Sequence, residues 1–254
     1  MVYFVGAGPG AEDLITVRGQ RYLEQADVVI YAGSLVNKAL LKAVKEGCRI
    51  YNSAYMALEE VIGVMEEAER KGMLTVRLHT GDPSIYGAVR EQMDELKKRG
   101  IAFSVCPGVS SFCGAAASLQ MEYTLPEVSQ SIIISRAEGR TPVPERESIQ
   151  KLAVHQATMV LFLSSGLAGK VREELLAGGY YAETPAAVVF KATWGEEKIV
   201  HTTVGNLPED MEREGIDKTA LIIVGNVLGE EYQKSKLYDA SFTTGYRKAI
   251  QKQG

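Results

Sequence analysis

Val2-Tyr3-Phe4-Val5-Gly6-Ala7-Gly8-Pro9-Gly10-Ala11 decides the fold class. Four apolar residues bounded by glycines fit a short strand buried on both faces that ends in a tight turn. No basic segment precedes them, so the stretch reads as a first strand and not as a signal peptide. The glycines match the G-x-G-x-x-G/A spacing of dinucleotide-binding turns. That use needs backbone N–H groups facing a pyrophosphate at a helix start, and an acid at the end of the second strand. Pro9 has no N–H to give, the next helical pattern starts only near Thr16, and the second strand ends Ile30-Tyr31-Ala32-Gly33 without a carboxylate. The nicotinamide reading is therefore disfavoured. Two others stay open: bare backbone approaching a flat ligand, or a tight turn with no ligand at all.

Working outward, apolar runs at Val28–Tyr31, Arg49–Tyr51, Leu74–Leu78 and Phe103–Cys106 alternate with helix-period stretches at Val17–Ala26, Val36–Glu46, Leu58–Lys71 and Ser84–Arg99. Such alternation predicts a mostly parallel sheet covered by helices on both faces. Pro126 breaks the pattern within Gln120–Gln130. Strand candidates then resume at Ser131–Ser135, Thr158–Leu163, Ala186–Lys191, Lys198–Thr203 and Ala220–Val224. Strands that follow one another without a helix imply antiparallel pairing and a mixed sheet. The expectation is two α/β domains: 1–115 with the glycine-rich loops, 116–232 with the mixed sheet, and a polar C-terminal extension at 233–254, on the surface or partly disordered, carrying Lys234, Lys236, Arg247, Lys248 and Lys252.

Two further turns resemble the first. His79-Thr80-Gly81-Asp82-Pro83-Ser84-Ile85-Tyr86-Gly87 follows a strand, with Asp82 placed to cap a helix and Pro83 in its first turn. Pro107-Gly108-Val109-Ser110-Ser111 again lies between a strand and a helix. Loops at the carboxyl ends of strands in an open α/β sheet gather where ligands bind, so one shared pocket is favoured over three unrelated turns.

Gly6-Ala7-Gly8-Pro9-Gly10, Gly81-Asp82-Pro83 and Pro107–Ser111 resemble the signature segments of the tetrapyrrole (corrin/porphyrin) methylases. Asp13–Gly19, Tyr31–Val36, Ser135–Glu145 and Lys191-Ala192-Thr193-Trp194 with Glu197–Val200 are similar to the branch that methylates C-11 of precorrin-4 or cobalt-precorrin-4 in cobalamin synthesis. The resemblance implies a homodimer of two-domain α/β subunits that uses S-adenosyl-L-methionine, released as S-adenosyl-L-homocysteine, and folds it into the cleft between the domains. Carried over, it makes Pro9, Gly81, Asp82, Ile85, Ser110, Ser111, Leu163, Ala192, Ala220 and Leu221 cofactor contacts. The Arg136–Glu145 segment leans toward the cobalt-early type of substrate. Other corrin positions (C-17 or C-20), diphthine synthesis, ribosomal-RNA methylation and a non-catalytic tetrapyrrole carrier are the competing readings.

Methyl transfer from a sulfonium to a ring carbon needs alignment and exclusion of water more than a protein nucleophile, and no catalytic residue or metal ligand is assigned. His79, beside the second loop, is the one histidine with a claim to chemistry; His155 and His201 read as structural or surface residues. A corrin precursor carries many carboxylates. Arg136 and Arg140 suit bidentate carboxylate binding, with Glu138 expected to hold one of them; a solvated loop paired with Glu138, Glu145 and Glu147 is the bland alternative. Tyr86, Tyr123 and Trp194 either shape the macrocycle's face or serve as core aromatics.

Composition sets the outer bounds. The 254 residues are 46% hydrophobic and 24% charged, enough for a full core. The net charge of −4 argues against a nucleic-acid surface built on bulk positive potential. Cys48, Cys106 and Cys113 are odd in number and lack metal or disulfide spacing, which fits a reducing compartment. No apolar run approaches the roughly 20 residues needed to span a bilayer. A cytoplasmic protein is expected.

Overall fold

The computed structural model describes residues 1–250; Lys252 of the polar extension lies outside the described residues. The chain forms two compact units. The first takes Met1–Ser118 together with Phe190–Lys198, and the second takes Leu119–Val189 and the chain from Ile199 onward.

The first unit is built on strands β1 (Val2–Gly6), β2 (Val28–Tyr31), β3 (Arg49–Asn52), β4 (Thr75–His79) and β5 (Phe103–Cys106), in the order β3-β2-β4-β1-β5. Every pairing is parallel, with Val2 opposite both Thr75 and Phe103, and Val28 opposite Arg49 and Thr75. Helices α1 (Val17–Gln25), α2 (Leu58–Arg70), α3 (Arg90–Lys98) and α4 (Ser111–Ser118) complete it. Successive strand residues point to opposite faces, so the continuous apolar runs feed two cores. Val5, Val29, Val76 and Leu78 pack with Ile15, Leu23 and Leu40. Val2, Phe4, Val28 and Ile30 pack with Val61, Ile62, Met65 and Leu96. The second face of β4 is polar instead, carrying buried Thr75, Arg77 and His79.

Two helical expectations give way. Val36–Glu46 forms only a 3-10 turn at Lys38–Ala43, just after another at Gly33–Leu35. The Asn37 side chain accepts from Ala39 N at 2.9 Å and donates to Gly10 O at 2.9 Å, which ties this segment to the first glycine loop and competes with helical hydrogen bonding. The expected helix Ser84–Arg99 starts only at Arg90, and its N-cap is Val89, not Asp82. Left-handed backbone at Tyr86 (φ 52°) and Ala88 (φ 48°) interrupts it, and Asp82 is engaged elsewhere. Thr16 caps α1, its hydroxyl accepting from Gly19 N at 3.1 Å.

The second unit contains β6 (Ile132–Arg136), α5 (Ile149–Ala153), β7 (Thr158–Phe162), α6 (Ala168–Ala177), β8 (Pro185–Phe190), β9 (Lys198–Thr203), α7 (Leu207–Arg213) and β10 (Ala220–Val224). Its sheet runs β6-β7-β10-β8-β9. β6 and β7 are parallel while β7 and β10 are antiparallel, so the sheet is mixed. Phe190–Lys198, read from sequence as part of the second domain, belongs to the first unit, because Thr193 and Trp194 bond to the first glycine loop. Residues 229–250 are mostly exposed and include a short turn at Lys236–Tyr238, where the Arg247 guanidinium donates to the carbonyls of Leu237 and Asp239.

Candidate functional site

Because β4, β1 and β5 are neighbours and all parallel, the loops after them leave the same edge of the sheet. Backbone bonds join them there. Gly8 N donates to Gly81 O (3.3 Å), Gly81 N to Gly8 O (2.8 Å), and Ala7 N to His79 O (2.6 Å). The third loop is held by Asp82, whose Oδ2 accepts from Gly108 N at 2.8 Å while Oδ1 accepts from Ser84 N at 2.8 Å and from the Ser84 hydroxyl. Glycine is required where the loops meet. A Cβ on Gly6 would lie 2.5 Å from Gly108 Cα, and one on Gly108 would lie 2.2 Å from Gly81 O.

Burial would raise the Asp82 pKa, but the bonds from the Ser84 hydroxyl and from the Gly108 and Ser84 N–H groups outweigh it and hold the carboxyl below its ordinary range. Asp82 therefore stays ionised as a staple between the second and third loops.

Phe190–Lys198 fixes the first loop. Trp194 Nε1 donates to Pro9 O at 3.2 Å, Thr193 Oγ1 accepts from Ala11 N at 3.0 Å, and a Cβ on Gly10 would run into Trp194 Cδ1 at 2.1 Å. Pro9 packs on α4, where a Cβ on Gly114 would lie 2.7 Å from Pro9 Cβ. Of the residues expected to touch a cofactor, Pro9, Gly81, Asp82, Ser110 and Ser111 thus belong to joined loops. Ile85 follows Asp82, and Ala192 precedes the two residues that grip the first loop.

Leu163, Ala220 and Leu221 belong to the second unit. Ile222 pairs with Leu161 across the antiparallel β7–β10 ladder, so the end of β7 and the start of β10 share an edge; Arg136, opposite Phe162, ends β6 at that edge. Leu163 is 65% exposed and left-handed (φ 52°), a conformation unfavourable for a branched apolar residue and commonest at functional sites. Ser164 fixes the tips of both strands, its hydroxyl accepting from Ala137 N (2.8 Å) and donating to Phe162 O (2.7 Å).

The expected Glu138–arginine contact does not form. Glu138 Oε1 accepts from Val143 N at 3.4 Å, and Oε2 lies 3.8 Å from Lys170 Nζ, which also donates to Glu138 O at 2.9 Å. The Arg136 guanidinium turns back on its own loop, donating to the carbonyls of Ala137 (3.3 Å), Thr141 (3.2 Å) and Pro142 (2.6 Å). These carbonyls satisfy it without a carboxylate, and Glu138 is drawn to the nearer lysine. Arg140 is exposed, and among the described residues no ion pair forms on it. Lys170, on α6, is a cation the sequence reading missed; only its tertiary bond to Glu138 brings it to this loop.

His79 is buried, its Nε2 has no hydrogen-bond partner among the described residues, and desolvation, helped by the charge of Arg77, pushes its pKa down to about 3. A neutral ring sealed in a core is a poor proton carrier. Arg77 donates to Gln92 Oε1 (3.0 Å) and Ile30 O (3.1 Å), and burial lowers its pKa to about 10. Cys106 is buried in the core beside Thr16, a packing role.

A parallel α/β unit with three glycine loops locked together at the carboxyl edge of its sheet, joined to a mixed-sheet unit, defines a class of ligand-binding α/β proteins with sites at strand tips. More narrowly, the family model of Tetrapyrrole (Corrin/Porphyrin) Methylases matches residues 1–208, and the chain belongs to that family. A cobalt-precorrin-4 C(11)-methyltransferase from Methanocaldococcus jannaschii is 56% identical over 252 residues, covering 99% of this chain and 97% of the relative. A solved cobalt precorrin-4 methyltransferase superposes with a TM-score of 0.88 at 49% identity, over 89% of this chain and 95% of the other. The uroporphyrin-III C-methyltransferase of Thermus thermophilus complexed with S-adenyl homocysteine gives 0.75 at 26% identity, over 92% and 95%.

Proposed function

We propose that this chain is an S-adenosyl-L-methionine-dependent C-methyltransferase that methylates C-11 of cobalt-precorrin-4 in cobalamin synthesis. The observation that carries this reading is the junction of the Gly6, Gly81 and Gly108 loops at one sheet edge. The printed activities of the relatives at 56% and 49% identity support the substrate and the position. The residues fit the donor. Glycine backbone admits a flat adenine-bearing molecule closely, Ser110 and Ser111 offer hydroxyls, and nothing at the edge demands a strongly anionic ligand such as a pyrophosphate.

When bound, the donor supplies a methyl group on a sulfonium, open to displacement by an electron-rich ring carbon. The protein's part is binding and aim. Pro9, Gly81, Asp82, Ile85, Ser110, Ser111 and Ala192 of the first unit, with Leu163, Ala220 and Leu221 of the second, are the proposed donor contacts. The staple between Asp82 and Gly108 sets the loop geometry before the donor arrives, so little ordering entropy remains to be spent on binding. Arg140, free of ion pairs among the described residues, is the proposed carboxylate contact, with Arg136 shaping the loop that carries it. A cytoplasmic homodimer belongs to the same proposal, as does the absence of a catalytic protein base. Among the described residues no helix is long and apolar enough to cross a membrane.

Purified protein incubated with cobalt-precorrin-4 and methyl-labelled S-adenosylmethionine should place label on C-11, with metal-free precorrin-4 as the parallel arm. Label at C-17 or C-20 would reassign the position. No transfer, with the tetrapyrrole still bound, would leave a carrier.

A further inference from the structure

Two hydrogen bonds converge on a single oxygen at the end of α4. Glu197 Oε2 accepts from Thr193 N and from the Ser118 hydroxyl, each at 2.5 Å, while Glu197 N donates to Trp194 O at 3.1 Å. Ser118 closes α4, whose opposite end, Ser111, completes the third glycine loop. Thr193 and Trp194 are the residues that grip the first loop, through Ala11 N and Pro9 O. Pro9 itself packs on the middle of α4 at Gly114, and a Cβ on that glycine would also meet Thr193 Cγ2 at 3.3 Å. The first loop is thus held by two walls, the Thr193–Trp194 segment and α4. One carboxylate fixes the spacing of the two walls.

The segment it holds is strained in a way that a solvated hairpin tip would not need to be. Lys191 (φ 47°) and Thr193 (φ 67°) are both left-handed, and such residues persist where their surroundings dictate the conformation. Glu197 is itself only partly buried. Its two close bonds, to a main-chain amide and a hydroxyl 79 residues away in sequence, are charge-assisted and geometrically demanding.

We propose that Glu197 is a positioning residue for the methyl donor. It touches neither reactant and acts by holding the Thr193–Trp194 clamp against α4, so that the Pro9 loop and the Ser110–Ser111 loop keep their donor-receiving separation. This rests on the reading of that edge as the donor site. Its chemistry makes a specific demand: the group must accept two hydrogen bonds, but it need not be charged. A glutamine oxygen can accept both, whereas alanine accepts neither.

The test is calorimetric titration of the full chain with S-adenosylhomocysteine, well below the melting temperature. Glu197→Ala should bind on the order of tenfold more weakly, the equivalent of losing one such contact, and Ser118→Ala about threefold. The double variant should bind no worse than Glu197→Ala alone, since both act through the same oxygen. Glu197→Gln should recover most of the affinity. In steady state the KM for S-adenosylmethionine should rise while that for the tetrapyrrole stays put, a split that general loss of stability would not produce. Hydrogen exchange at the Ala11 amide should quicken in Glu197→Ala. Wild-type affinity in Glu197→Ala overturns the proposal and leaves the donor site standing, whereas wild-type protein that takes up no S-adenosylhomocysteine overturns the donor site and the proposal with it. If Glu197→Ala does not fold, Ser118→Ala decides, and unchanged affinity there is equally fatal.

Discussion

At the scale of single residues, the side chains that matter most are those whose partners are far away in sequence. His79 is the sharpest case for pH. Its ring titrates at about 3 in the folded chain against 6.5 for a free histidine, since burial first and the Arg77 charge second disfavour the proton. Between those values only the unfolded chain binds the proton, so its contribution to stability is complete above about pH 6.5 and falls by about 1.4 kcal/mol for each unit of acidification below it. From pH 6.5 to pH 5 that is ~2 kcal/mol. Urea unfolding across this range should show a steeper acid limb in the native protein than in His79→Leu; matching slopes would mean the ring is not sealed. Arg140 is the complementary test of recognition. It is exposed, without an ion pair among the described residues, so its substitution breaks no ion pair there. Arg140→Glu should lower kcat/KM for the tetrapyrrole by about tenfold to a hundredfold through KM, the worth of one charge-assisted carboxylate contact. Unchanged activity at limiting substrate would remove it from the site.

At the scale of elements, two glycines of opposite character can be compared directly. Gly63 lies exposed in the middle of α2, where an added Cβ would meet nothing within 4 Å, whereas a Cβ on Gly108 collides with Gly81 O at 2.2 Å. Gly63→Ala should stabilise the protein by about 0.5–1 kcal/mol through helix propensity. Gly108→Ala should push the third loop off the second and abolish measurable uptake of S-adenosylhomocysteine, and uptake at native affinity would mean the loops need not touch. The same elements explain what the sequence made legible. Strands such as Val28–Tyr31 could be placed within a residue because both faces are buried and the apolar run is unbroken. The start of α1 near Thr16 was legible from the helical spacing that begins at Val17. By contrast, Val36–Glu46 and Ser84–Val89 have helical composition but are claimed by distant partners, Gly10 O for Asn37 and Gly108 N for Asp82. No local window contains those partners. The glycine loops were readable because close approach demands glycine itself; the Glu138–Lys170 pair and the Trp194 clamp were not, because any of several neighbouring residues could have satisfied the same composition.

At the scale of the whole molecule, the first unit is discontinuous: 1–118 is completed by Phe190–Lys198, which connects β8 and β9 of the second sheet. The segment that grips the Pro9 loop is therefore supplied by strands of the other unit, and melting those strands releases its two ends. Trp194 is the chain's single tryptophan and donates directly to Pro9 O, so its emission reports the state of that loop. If the connection matters as argued, the thermal transition followed by Trp194 emission should coincide with the one followed by far-ultraviolet circular dichroism, which averages over both sheets. Saturating S-adenosylhomocysteine at about a hundred times its dissociation constant should move the transition upward together in both probes, by about 2.7 kcal/mol or roughly 5–10 °C for a chain of this size. Emission that changes well before the dichroism would mean that the Phe190–Lys198 clamp opens on its own. In that event the proposed donor edge would be a locally unfolding element and not a feature fixed by the whole fold.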